Sequence, residues 1–260
     1  MARPRRGESI QDRDGGSLYD RRMTTDQQTR VRTAREAAAA WRPQQFSEGR
    51  SGAILDPIVE PLWSGLRVLA LVDGGEVTIR DLDGDPVEEF GDVETELAKA
   101  SRASQVLVDG YLTHQPIQGI DAVAHREITA SSKAAPTIGT MWFGSLGRLR
   151  SRTPRPPAEA VGRDPLPPDA DVAIVVVDLL WLDDEPLLSV PLLERRRILE
   201  SVVGESRLVR RGIFVRPPVD TWIGSWRSFG FSRLSYKAAN SRYTPGATNS
   251  QWAIGELPAR

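Results

Sequence analysis

Apolar residues in this chain come in short runs separated by Asp-Gly and Pro-rich turns. The clearest run, Val172 to Val177, holds four valines in six unbroken apolar positions and leads into Asp178-Leu179-Leu180-Trp181. A short run rich in β-branched side chains predicts a strand buried on both faces. Asp183-Asp184-Glu185-Pro186 supplies a turn, and Pro191 opens a helix in which Leu192, Leu193, Ile198 and Leu199 form an apolar face opposed to a basic one carrying Arg195 and Arg196. Earlier in the chain, Val68 to Val72 and Val77 to Arg80 flank Asp73-Gly74-Gly75, the signature of a β-hairpin. The pattern predicts strands over about 66–72, 76–81, 105–109, 172–178 and 234–238, and helices over about 25–41, 93–103 and 191–203. The first helix starts at a capping-box-like Thr25-x-x-Gln28.

Composition narrows the class. The chain has 260 residues, enough for a substantial core, and a formal net charge of −1, so nothing global advertises a polyanionic partner. There is no cysteine, hence no disulfide, thiolate metal site or cysteine nucleophile, and the two histidines, His114 and His125, are too few for a metal cage. Of 34 basic residues only Lys99, Lys133 and Lys237 are lysines. No apolar run approaches the roughly 20 residues that span a bilayer. No apolar segment follows the arginines at the amino terminus, so a cytoplasmic protein is expected. Residues 1–22 read as a disordered tail, 23–256 as one domain, about 115–170 as a long flexible insertion within it, and 257–260 as a tail. In the insertion, Thr137 to Arg150 combines Met141, Trp142, Phe143, Leu146 and Leu149 with arginines and is a candidate partner-contact segment.

The wording of several stretches is more specific than their periodicity. Glu60-Pro61-Leu62-Trp63-Ser64-Gly65-Leu66-Arg67, Val108-Asp109-Gly110, Asp178-Leu179-Leu180 with Pro191-Leu192-Leu193-Glu194-Arg195-Arg196, Lys237, and Tyr243-Thr244-Pro245-Gly246 with Trp252 follow one another in order. Together they resemble the adenylation (nucleotidyltransferase) domain of ATP-dependent DNA ligases. The resemblance covers most of Ile54 to Glu256. It implies an α+β fold of two antiparallel sheets with flanking helices and a cleft between them, without the oligonucleotide-binding (OB) domain that follows in complete ligases.

The resemblance also assigns roles, and here the chain departs from the pattern. The lysine that attacks the α-phosphate of ATP falls on Leu62, and the nearby aspartate on Ser64. The ribose-binding glutamate falls on Tyr111, the adenine-stacking aromatic on Val177, the metal-linked glutamate on Ser232, and two phosphate-binding lysines on Ile254 and Glu256. Glu60, Arg67 and Lys237 remain as vestigial nucleotide-contact candidates. Leucine has no lone pair with which to form a phosphoramidate. The expectation is therefore a catalytically degenerate ligase-like domain with no cofactor and no metal, whose cleft near Leu62, Val177 and Ile254 is apolar and partly filled by Tyr111 and Trp142. It would serve as a binding or scaffolding module for DNA or a DNA-repair protein. The alternatives are an active or atypical ATP-dependent ligase using ATP and Mg, and a protein that binds DNA through arginines.

Overall fold

The computed structural model describes residues 31–114, 161–166 and 171–258. The candidate contact segment Thr137–Arg150, Trp142 and the expected tail over 1–22 lie outside them. The described residues from Thr33 onward belong to one compact unit.

Two sheets organise the unit. The first has the order β1 (Gln45–Ser47), β10 (Thr248–Glu256), β9 (Arg233–Ala238), β2 (Pro57–Pro61). The second runs β4 (Glu76–Arg80), β3 (Leu66–Asp73), β5 (Gln105–Thr113), β6 (Ala173–Leu182), β7 (Glu185–Pro186), with β8 (Val209–Arg211) also beside β6. Pairing is antiparallel except for β1 on β10 and β8 on β6, two short parallel additions. β5 and β6 are the buried centre: every residue of Val106–Thr113 and Ala173–Trp181 is shielded from solvent, as their continuous apolar runs predict. Helix α1 (Ala34–Ala40) packs on β3 and β5, α2 (Gly91–Ala100) on β4, α3 (Leu192–Val202) on β6; α4 (Asp220–Ser228) buries Trp222 and Trp226. No helix among the described residues is long and apolar enough to cross a membrane.

Two sequence expectations change. The helix expected over 25–41 has its described part at Ala34–Ala40, where Thr33 is the N-cap. The Thr33 hydroxyl accepts from the Glu36 amide and the Glu36 carboxylate accepts from the Thr33 amide, both at 3.2 Å, so the capping box closes at Thr33. The basic face assigned to α3 is largely internal. Arg195 and Arg196 are buried and only Arg197 of the three turns outward, because the first two find acceptors inside the fold.

Within the stretch expected to be a flexible insertion, residues 161–166 contact β3 and the turn after β4. The Gly162 carbonyl accepts from the Arg67 amide at 2.9 Å, and Arg163 bridges Leu66 in antiparallel fashion where β4 has ended. Arg163 also grips Asp83 through both terminal nitrogens, at 2.5 and 2.8 Å. Gly162 has φ of +80° and no room for a Cβ against the side chain of Arg67, so this close approach requires glycine.

Candidate functional site

The side chains that face the space between the sheets follow from strand alternation. On the first sheet, Glu60 lies across from Ser235 and Trp252 across from Lys237. These residues share one face because successive side chains alternate across a strand. Glu60 and Lys237 are both buried and joined at 2.6 Å, while the Ser235 hydroxyl donates to the same Glu60 oxygen at 3.2 Å. The Lys237 ammonium sits 4.5 Å from the centroid of the Trp252 indole. The second Glu60 oxygen, Oε1, makes no hydrogen bond and lies 3.7 Å from Arg196. Leu62, next along the chain beyond β2, is buried, as are Tyr111, Val177 and Ile254. Ser232 is exposed.

Arg67 belongs to a second cluster. Its guanidinium makes paired hydrogen bonds to Asp109 at 3.0 and 2.6 Å and donates to the Gln44 carbonyl at 2.7 Å. The Tyr243 hydroxyl donates to Asp109 at 2.7 Å and accepts from the Gln44 amide at 2.9 Å. The rings of Phe46, Trp252 and Tyr111 stand 5.4, 5.8 and 5.9 Å from the guanidinium carbon. Burial on its own would lower the Arg67 pKa, but the Asp109 carboxylate holds it above its ordinary value. Burial raises the Tyr111 phenol well above its usual range, with Arg67 opposing. Burial and then Asp109 raise Tyr243 in the same sense.

These two phenols make a pH prediction. Their unfolded pKa is about 10. Above that pH the unfolded chain releases both protons while the fold retains them, so stability falls as pH rises through 10 towards the folded values. Each phenol contributes a loss of about 1.4 kcal/mol per pH unit in that window. Urea midpoints at pH 9, 10 and 11 should decline in the upper half of the series, and Tyr111→Phe should reduce the slope by about half. Constant midpoints across the series would contradict the protonated burial of these groups.

A third pair was not foreseen from the sequence as a site. Asp178, at the middle of β6, receives both Nε and Nη2 of Arg195, at 2.8 and 2.7 Å, and also caps the Leu179 amide at 2.8 Å. Next along α3, Arg196 donates to the carbonyls of Val177 at 2.6 Å and of Gly212. The available signal was the carboxylate itself: an aspartate inside a continuous apolar run demands a buried cation. Of the three vestigial candidates, the fold therefore joins Glu60 to Lys237 and sets Arg67 apart with Asp109. Among the described residues, no group of three or more His, Asp or Glu is placed to hold a metal ion.

This architecture is shared with solved structures. The ligase domain of LigD from M. tuberculosis superposes with a TM-score of 0.54, at 20% identity, over 83% of this chain and 59% of that one. The mycobacterial DNA ligase D complexed with ATP and MES gives 0.53, at 19% identity, over 83% and 60%. The fold is that of a DNA ligase nucleotidyltransferase domain. The chain spans about three fifths of the length of those ligase chains. No protein-family model matches the sequence, and no curated protein matches it.

Proposed function

We propose that this ligase-fold domain is a non-catalytic binding or scaffolding module, with DNA or a DNA-repair protein as its partner, and that it forms no covalent adenylate. One observation carries the reading. The position that resembles the nucleophilic lysine is the buried side chain of Leu62, and the lysine that does face the cleft, Lys237, is held by Glu60 at 2.6 Å under Trp252. The Lys237 nitrogen is thus directed at a carboxylate, not at a position from which it could attack a phosphorus atom. Lys99 sits on the exposed side of α2 with Glu96 and faces no cleft.

The residues present are unsuited to ATP and Mg. Tyr111, Val177 and Ile254 are buried where a ligase would contact ribose, base and phosphate, and Ser232 offers a hydroxyl where the metal-linked carboxylate would be. What is retained is the frame: the buried ion pairs Arg67–Asp109 and Arg195–Asp178, and Tyr243 packed edge-on against Trp252. A frame kept with its reactive groups replaced is the arrangement expected of a domain used for its surface. Incubating the purified protein with α-labelled ATP and Mg²⁺ or Mn²⁺, then running a denaturing gel, should leave the protein band unlabelled. An acid-labile labelled band would overturn the reading and make Lys237 the first lysine to substitute.

A further inference from the structure

A cavity of about 280 Å³ lies at Arg196, between the C-terminal half of α3 and the chain that follows β8. Arg196 contributes to its lining and is buried; the Phe214 ring lies 5.0 Å from the guanidinium carbon, and Leu199 and Ile213 add apolar wall. Arg196 is the buried member of four charged lining residues, the others being Glu200, Glu205 and Arg211, and a buried guanidinium beside apolar walls is a group that can orient a small ligand.

The charge around Arg196 is unbalanced. Glu60 is shared between two buried cations, Lys237 at 2.6 Å and Arg196 at 3.7 Å, so the cluster carries one positive charge in excess. The other partners of Arg196, the carbonyls of Val176, Val177 and Gly212, are neutral. An excess buried charge is costly unless an opposite charge comes within reach. The guanidinium also has donors to spare: the hydrogen bonds it makes among the described residues use Nη1 and Nη2 and leave Nε unengaged. On the rim, Glu205 is turned towards Arg211, accepting from its amide at 3.1 Å and facing its Nη2 at 3.5 Å. Glu200 is the second rim carboxylate, and both are exposed.

We propose that this cavity is a binding site for a small organic anion, a carboxylate or phosphate head group on a flat apolar body. The head group would be held by Arg196 and the body would lie against Phe214 and Ile213. Guanidinium is the side chain best matched to both head groups. At about 30 Å³ per water, the space equals about nine waters, enough for one six-membered ring and its head group. Neither Glu60 nor Lys237 lines this cavity.

The test uses the full chain and four probes, benzoate, phenyl phosphate, benzamide and benzylamine, titrated with calorimetry or protein-observed NMR. The two anions should bind at least 10-fold more tightly than the neutral and cationic probes, and the tighter anion identifies the head group. Arg196→Lys is the obvious variant but can fail to fold, so Ile213→Trp, which fills the cavity from a partly exposed position, is the main control and should abolish anion binding. Glu200→Gln removes the rim's repulsion and should tighten it 2- to 5-fold. The proposal is overturned if benzylamine binds as well as the anions, if Ile213→Trp binds them undiminished, or if neither anion binds at millimolar concentration.

Discussion

Asp109→Ala is expected to destabilise the domain by about 3–5 kcal/mol, a large part of the roughly 5–15 kcal/mol that holds a typical domain together. Asp109 is completely buried and is the counter-charge of Arg67, which it meets through two hydrogen bonds at 3.0 and 2.6 Å. With alanine in its place, the guanidinium would remain among Phe46, Tyr111 and Trp252 with the Gln44 carbonyl as its remaining acceptor. Aromatic faces attract a cation, but by about 2 kcal/mol at best, which does not replace a carboxylate. The Tyr243 hydroxyl would lose its acceptor in the same step. Urea unfolding followed by tryptophan fluorescence measures the difference. A loss below about 1 kcal/mol would mean that the guanidinium swings out to solvent and the cluster is not the closed unit described here.

Asp178→Ala should be of similar size, about 3–5 kcal/mol, because it strands Arg195 in the same way at the centre of the second sheet. The informative comparison is the double replacement Asp178→Leu with Arg195→Met, which removes both charges and keeps apolar volume. Replacing a buried ion pair in this manner is often neutral or stabilising, so the double variant should recover most of the loss. Two features limit the recovery. The Leu179 amide loses its cap, and the carbonyls of Val190 and Ser241 lose the Arg195 donor. A double variant as unstable as Asp178→Ala would show that those backbone contacts, and not the charge pair, carry the effect.

The strands with continuous apolar runs were legible from sequence. β3 and β6 begin within a residue of expectation, since burial on both faces leaves an unambiguous run, and the half-exposed β4 does so because Asp73-Gly74-Gly75 marks the hairpin. β10 was missed because its first half is exposed and polar, Thr248-Asn249-Ser250-Gln251, and its apolar residues are confined to Trp252, Ala253 and Ile254. α4 was missed because a nine-residue helix containing Gly224 has little propensity, although Trp222 and Trp226 stand one turn apart on its inner face. The site was half legible. Resemblance picks out Glu60, Arg67 and Lys237, but periodicity treats arginine as polar, so Arg195 and Arg196 fall on a basic helix face with no buried partner indicated. Asp178 lies 17 residues from Arg195 and Val177 19 residues from Arg196, and the fold brings them close.

Lysine accessibility tests the central claim, that the cleft is closed by its own side chains, most directly. The native protein would be treated with an amine-reactive acetylating reagent, with and without ATP and Mg²⁺, and each lysine read by mass spectrometry. Lys99, about two thirds exposed, should be modified readily in both conditions, and Lys237, almost fully buried against Glu60, should stay unmodified in both until the protein is unfolded. Rapid modification of Lys237 in the native state, with protection by ATP, would contradict the account and would mean that the cleft opens and receives a nucleotide.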